Sequence, residues 1–206
     1  MDIFGPVWEN YLDSVESDWL NKVTDEDVVL LAGDFSWAMK LQDAIPDFEY
    51  IAHLPGKKII IKGNHDYWWN AIGKVREVLP KSFIALQNDA IKIGKYIFCG
   101  TRGWTLNDEK MLNRETIRLE LSLQSAKALQ TDGEEIICMM HYPPFEKGKL
   151  VSPYTRLLEQ YGVKSVIYGH LHGRQYINHP LHITINDIDY YLTSCDLRHN
   201  ILTEIV

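Results

Sequence analysis

The chain has 206 residues, which suits one domain with a layered core, and we expect a single domain over residues 1–206. Its formal net charge is −7 at pH 7, and without a cluster of lysine and arginine this argues against extended nucleic-acid binding. No apolar run approaches the ~20 residues needed to cross a bilayer, so we expect no membrane association.

Helical and strand patterns alternate in the first part of the chain. Apolar residues from Trp8 to Val23 recur with helical spacing and predict an amphipathic helix, with Pro6 in its first turn. The run VVLLAGD (28–34) shows no alternation, which predicts a strand buried on both faces. A second helix is predicted from Pro46 to Leu54.

The rest of the chain adds strands that lie first between helices and later beside one another. The predicted elements are a strand in 57–66, a helix in 71–80, a hairpin in 89–100 turning at Gly94 and Lys95, a helix from Asp108 to Leu129, a strand in 134–142, a helix from Ser152 to Gly162, a strand in 163–170 and a hairpin around Asp187. This order predicts a mixed α/β layered fold whose early sheet is largely parallel and whose late part is antiparallel.

The cysteines and the first residues bear on location. Cys99, Cys138 and Cys195 form no C-x-x-C pair, and each lies in or at the end of an apolar run, which suggests buried, reduced thiols. The acidic start does not look like a secretory signal. We therefore expect a cytoplasmic protein.

Polar residues stand at the carboxyl ends of the buried strands. Asp34 follows VVLLAG, Asn64 follows KIIIKG, His141 follows EIICMM and His170 follows SVIYG, with His172 two residues later. The carboxyl ends of parallel strands share one edge of a sheet, where ligands bind. A carboxylate, an amide and imidazoles without thiolate suit Zn, Mn, Fe or a similar divalent ion.

These motifs together resemble those of the calcineurin-like metallophosphoesterase superfamily. The resemblance rests on GD (33–34), GNHD (63–66), His141 in HYPP and GHLH (169–172), in that order and over most of the chain. It implies a four-layer α/β/β/α sandwich with mixed sheets and a dinuclear metal site at the strand ends. It also implies hydrolysis of phosphate esters.

The resemblance implies a role for each matched metal ligand. Asp34 would bridge two divalent ions, Asn64, His141 and His170 would complete one of them, and His172 would belong to the other. A hydroxide between the two ions would then attack phosphorus in line, without a covalent enzyme intermediate. Two cations would also let a phosphate bind to an acidic protein.

Two further residues of the GNHD motif acquire catalytic roles from the same resemblance. His65 would stabilise charge on the phosphoryl group or protonate the departing oxygen. Asp66 would orient the His65 ring.

The chain departs from the family pattern at its start. Members begin with a strand that ends in Asp-x-His, and no Asp-x-His occurs in this sequence. We therefore expect the site containing His172 to be weak or empty, and the absence of the strand to leave sheet edges unpaired. A start upstream, with Met1 an internal methionine, is the favoured explanation, ahead of a truncated gene or a degenerate member.

The sequence leaves more than one interpretation for the substrate and for the roles of four neighbouring residues. Without a basic tract we favour a small phosphodiester or phosphomonoester as the substrate. Trp68 and Trp69 either form a platform for a leaving group or pack, Tyr142 either bonds substrate or packs, and Arg102 either reaches phosphate or is solvated.

Two other functions compete with a phosphoesterase. A metallo-β-lactamase-like hydrolase carries His-x-His followed by x-Asp-His early in the fold, whereas His172 is followed by GRQ late in this chain, so the spacing fails. A non-catalytic family relative that acts through protein contacts is favoured by the absent Asp-x-His and opposed by the intact GNHD motif.

Overall fold

The computed structural model describes Gly5 and residues 8–206, so Pro6 lies outside the described residues. Two β-sheets face one another, and helices cover the outer side of each. The helices are α1 (Tyr11–Lys22), α2 (Leu41–Ala52), α3 (Ile72–Val78), α4 (Glu109–Leu129) and α5 (Pro153–Gln160). The strands are β1 (Val28–Leu31), β2 (Lys57–Ile60), β3 (Phe83–Ala85), β4 (Ala90–Ile93), β5 (Tyr96–Thr101), β6 (Glu135–Met140), β7 (Ser165–Tyr168), β8 (His182–Ile185) and β9 (Ile188–Leu192).

The first sheet is parallel throughout, as predicted, in the order β1-β2-β3. Its third strand was not predicted from the sequence, because three residues are too few to show a period. The strand forms because Phe83 and Ala85 are buried and because the chain pairs with β2, where Ile59 lies opposite Ile84. At the β3 edge, the sheet therefore depends on contacts between residues that are distant in the sequence.

The second sheet has the order β4-β5-β6-β7-β9-β8, and its middle strands run parallel. The antiparallel expectation is confirmed for the final hairpin of β8 and β9, and β4 is likewise antiparallel to β5. It is wrong for the pairs β6–β7 and β7–β9, which are parallel. Helical crossovers before β6 and β7 return the chain in the same direction. The final hairpin turns at Asn186 and Asp187, whose φ angles of 51° and 62° suit a tight two-residue turn.

Three apolar layers hold the sandwich together and confirm the α/β/β/α arrangement. Residues such as Ile61, Phe98 and Ile167 fill the space between the sheets. On β5, Ile97 points the other way and packs with α4 and α5, because successive strand residues face opposite sides. Cys99 is buried there, whereas Cys195 is exposed, contrary to the expectation of three buried thiols.

The first two helices differ from their predicted bounds. Helix α1 begins at Tyr11, and its predicted apolar face is only partly covered, since Trp19 is buried but Leu12 is exposed. Helix α2 begins at Leu41, five residues before Pro46, which lies inside it. Proline removes one intrahelical hydrogen bond, but burial of Phe48 against the first sheet holds the helix.

Helix α4 is the longest and begins where the sequence predicted. The side chain of Asp108 accepts a hydrogen bond from the backbone N–H of Met111 at 3.1 Å, which caps the first turn. Neither this helix nor any other in the described part of the chain combines the length and apolarity needed to cross a membrane.

Strand β1 is an edge strand in the described ranges. It pairs with β2 on one side, and its four residues are only half-buried, whereas Ile59 and Ile60 of β2 are fully buried. Near it, the backbone N–H of Leu202 donates to Asp18 at 2.7 Å, and Ile205 packs against the central layer.

Candidate metal centre

Four loops meet at the carboxyl ends of the strands, where the two sheets face one another. Asp34 follows β1 and Asn64 follows β2 in the first sheet, while His141 follows β6 and His170 follows β7 in the second. The structure brings all four predicted residues together. The site therefore lies across the opening of the sandwich, where both sheets contribute to it.

The donor atoms of these four side chains converge on one point. Asn64 Oδ1 lies 2.6 Å from His141 Nε2 and 3.0 Å from His170 Nδ1. The two imidazole nitrogens are 3.2 Å apart, and Asp34 Oδ2 lies 3.3 Å from His141 Nε2. Spacings near 3 Å are those of ligand atoms around a single cation.

The hydrogen bond on the far side of the His141 ring determines what its Nε2 offers. His141 Nδ1 lies 2.9 Å from the carbonyl oxygen of Ala32, so Nδ1 carries the proton and donates it. In the neutral ring, Nε2 then presents a lone pair to the amide oxygen of Asn64. His141 Nε2 and Asn64 Oδ1 are then both acceptors, and two acceptors lie this close together only when a proton or a cation is shared between them.

The amide oxygen is essential to this arrangement. Among the described residues, no group of three or more His, Cys, Asp and Glu side chains is by itself placed to hold a metal ion. Asn64 supplies the donor that completes the set with His141, His170 and Asp34. A carboxylate, an amide and two imidazoles then fit a divalent ion of the Zn, Mn or Fe kind.

The protonation of the site also favours cation binding. Burial and the neighbouring His141 lower the pKa of His170 to about 4, so its ring is neutral at pH 7. Burial works to raise the pKa of Asp34, but its interactions with His141 and the hydrogen bond from the backbone N–H of His65 outweigh burial and lower that pKa overall. Neutral imidazole and ionised carboxylate are the forms that bind metals.

The backbone at the site adopts conformations that glycine and short polar residues favour. Asp34 and His170 have positive φ angles of 55° and 69°. A Cβ atom on Gly63 would lie 2.1 Å from Asp34 Oδ1, so the loop after β2 passes too close for any side chain. This contact explains physically why glycine precedes Asn64.

Asp66 joins the two loops of the first sheet. Its side chain is fully buried, and its two oxygens accept hydrogen bonds from main-chain and indole N–H groups instead of from the His65 ring that it was expected to orient. The donors are the backbone N–H groups of Gly63 (2.7 Å), Asp34 (2.8 Å), Phe35 (2.8 Å) and Ser36 (3.3 Å) and the indole of Trp68 (3.0 Å).

Replacing Asp66 by asparagine should therefore destabilise the fold. In Asp66→Asn an amide NH₂ faces N–H donors, and unpaired buried groups cost about 1–3 kcal/mol each in the free energy of unfolding. Urea denaturation of the purified variant measures this loss, and Asp187→Asn in an exposed turn is the matched control. Equal stabilities of Asp66→Asn and the wild type would contradict the structural role.

His65 lies beside the converging donors with its ring half-buried. Its backbone N–H donates to Asp34 Oδ1 at 2.7 Å, which fixes both the carboxylate and the residue that follows Asn64. The ring stacks on Trp37 with centroids 5.3 Å apart and meets Tyr67 edge-on at 6.1 Å. Its orientation therefore comes from aromatic contacts.

His172 has a partner that the sequence motifs did not reveal. His172 Nδ1 lies 2.8 Å from Asp196, whose other oxygen accepts the backbone N–H of Gly173 at 2.7 Å. Asp196 follows the last strand, and that position at the same sheet edge was the available signal. The Trp8 ring lies 5.7 Å from the His172 ring. His172 Nε2 is the ring nitrogen left for a ligand.

The residues left open by the sequence also have defined positions. Trp68 and Trp69 are buried in the outer layer of the first sheet, so they pack. Tyr142 is 7 % exposed and its ring lies 3.9 Å from that of His170. Arg102 is not a solvated turn residue, because its Nη2 lies 3.3 Å from the buried carboxylate of Glu115.

Comparison with known proteins agrees with this geometry. A family model described as calcineurin-like phosphoesterase matches residues 8–174. Among solved structures, the crystal structure of TT1561 of Thermus thermophilus is similar in fold, with a TM-score of 0.59 and 17% identity over 92% of this chain and 90% of that one. No match was found among curated proteins. The family model covers most of the chain, including every converging donor, and the chain therefore belongs to the calcineurin-like phosphoesterase family.

Proposed function

We propose that this chain hydrolyses a small phosphodiester or phosphomonoester at a divalent metal centre held by Asp34, Asn64, His141 and His170. The observation that carries the proposal is the convergence of their donor atoms, each of which lies 2.6–3.3 Å from at least one other, with the His141 lone pair directed at the Asn64 oxygen. A divalent ion bound there supplies positive charge to phosphoryl oxygens and acidifies water.

The protein groups around that point hold the donors rigidly. The carbonyl of Ala32 keeps the His141 ring in the tautomer whose Nε2 is free, and the backbone N–H of His65 holds one oxygen of Asp34. Asp66 ties the β1 and β2 loops to each other. These hydrogen bonds set the ligand geometry before any substrate arrives.

We assign His65 as the group that protonates the departing oxygen. It follows Asn64, its backbone N–H donates to Asp34 Oδ1, and its ring nitrogens, unlike those of His141 and His170, are not among the converging donors. A protonated imidazole in this position donates a proton to the leaving alcohol and stabilises negative charge on the phosphoryl group.

The second ion implied by the family fits the described residues less well. His172 is paired with Asp196, and Asp34 is the further carboxylate of the set, so the described donors are too few for tight binding. We assign strong binding to the first position and weak binding to the second.

Metal uptake and hydrolysis can be measured on the same preparation. The full chain is loaded with Mn²⁺, Zn²⁺ or Fe²⁺, its metal content is determined by elemental analysis, and it is assayed on an aryl phosphodiester and the matching monoester. We expect one tightly held ion per chain and hydrolysis of at least one ester, lost in chelator and restored by metal. Metal uptake without hydrolysis of either ester would contradict catalysis.

A metal-binding relative without catalytic activity is the second candidate. The observation that favours it is the covering of His172, which Trp8 contacts from one side and Asp196 binds from the other. In that case the first metal position would still fill, and both esters would stay intact under every metal. The assay above therefore separates the two functions.

A further inference from the structure

A group of basic side chains lies beside the metal centre at the same edge of the sandwich. This basic cluster consists of Lys62, Arg102, Arg114 and Arg118. Lys62 directly precedes the Gly63-Asn64 turn, Arg102 follows β5, and the other two arginines lie on α4. Lys62, Arg102 and Arg118 line a cleft where the ends of β2 and β3 face the end of β5.

One carboxylate faces these cations. Glu115 is fully buried, and its Oε1 lies 3.3 Å from Arg102, 3.2 Å from Arg114 and 3.3 Å from Arg118. Its Oε2 accepts the hydroxyl of Thr101 at 2.9 Å. A single negative charge thus meets three guanidinium groups, and positive charge remains in excess in a protein whose net charge is −7.

The arginines of the cluster carry N–H groups that Glu115 does not engage. A guanidinium carries five N–H groups, and Glu115 engages no more than two on any of these arginines. Arg102 Nε is buried without a hydrogen-bond partner in the part of the chain that the structure describes. A buried unpaired donor beside excess positive charge suits an anion with several acceptor oxygens.

Lys62 adds a further cation to the same cleft. Its ammonium donates to the carbonyl oxygen of Trp69 at 2.6 Å. A purely structural link between α4 and β5 would explain why Glu115 binds the arginines. It would not explain why Lys62, a further cation, lies in the same cleft.

A chain of ring contacts connects the cluster to the metal centre. The Arg102 guanidinium lies 4.5 Å from the Trp104 ring, Trp104 lies 4.9 Å from Tyr142, and Tyr142 lies 3.9 Å from His170. The carbonyl oxygen of Arg102 also accepts the backbone N–H of His141 at 3.1 Å. The basic cluster therefore lies beside the metal centre, two aromatic rings away from His170.

We propose that the basic cluster binds a second phosphate-type group of the substrate, one that is not hydrolysed. The substrate would be a phosphate ester with two anionic groups, one at the metal centre and one at the basic cluster. This assignment deepens the proposed function and rests on it for the identity of the hydrolysed group. Binding of an anion to the cluster itself does not depend on the metal.

The first test measures anion binding without turnover. Inorganic pyrophosphate is titrated by calorimetry into the chelator-treated full chain, as wild type, Arg118→Gln and Lys127→Gln. Lys127 is on the same helix and exposed, so its variant loses equal charge outside the cluster. We expect wild type and Lys127→Gln to bind alike and Arg118→Gln to bind about tenfold more weakly. No binding by the wild type, or equal binding by all three, would overturn the proposal.

The second test asks whether the anion is part of the substrate. An aryl phosphate and the same aryl phosphate with a second, remote phosphate are compared in the metal-loaded chain. In Arg118→Gln we expect KM to rise about tenfold for the bisphosphate alone, with kcat retained. Arg114→Gln serves if Arg118→Gln does not fold. Failure to hydrolyse either ester contradicts the proposed function and leaves the pyrophosphate result standing, whereas equal KM changes for both esters overturn the substrate assignment.

Discussion

Asp34→Asn is expected to lower metal affinity and phosphoesterase activity together, with hydrolysis reduced roughly 10³-fold. The substitution keeps the shape of the side chain, and asparagine tolerates the positive φ of 55° at this position. The change removes the negative charge and turns an N–H donor toward His141 or toward the cation. A site whose other donors are neutral loses its main attraction for a divalent ion.

Elemental analysis and the ester assay on the same sample measure both losses. Asp132→Asn is the control, because Asp132 is an exposed residue before the start of β6 and undergoes the same chemical change away from the carboxyl ends of the strands. Circular dichroism checks that Asp34→Asn is folded. Full activity of a folded Asp34→Asn with normal metal content would rule out the proposed centre.

His65→Ala is expected to lower kcat by about 10²–10⁴-fold while leaving the metal content unchanged. The side chain is not among the converging donors, so its removal leaves Asp34, Asn64 and the two histidines in place. The loss should be larger for an ester with an alkyl leaving group than for one with a nitrophenyl group. An alkoxide needs the proton, whereas nitrophenolate leaves without one.

The leaving-group comparison separates proton donation from a structural effect. His53→Ala, at the exposed end of α2, is the matched control. A structural defect would slow both esters equally and would lower the metal content. If His65→Ala hydrolysed the alkyl ester at the wild-type rate, another group would have to protonate the departing oxygen.

Much of the fold was predictable because its signals are local. The Asp108 cap of α4, the Ser152-Pro153 start of α5 and the tight turn at Asn186 and Asp187 each depend on a few neighbouring residues. Strand β3 and the parallel direction of β9 were missed, since both depend on pairing with strands distant in the chain. The early start of α2 was missed because burial of Phe48 outweighs the cost of Pro46.

Some features of the candidate site were likewise predictable from the sequence, and others were not. Asp34, Asn64, His141 and His170 were predictable because each follows a buried strand, and parallel strand ends share an edge. The partners of Asp66, the pairing of His172 with Asp196 and the arginines around Glu115 were not predictable. They join residues from separate loops and helices, and no spacing along the chain records such contacts.

The amino-acid sequence by itself determined the kinds of donor in this protein and the sheet edge where they stand, because buried strands and the polar residues that end them are read from neighbouring positions. The tertiary structure alone decided which donor atoms lie next to one another, which carboxylate binds the backbone of which loop, and where basic side chains cluster beside the site. These depend on distances of about 3 Å between side chains from both sheets. Only the packing of one sheet on the other sets such distances.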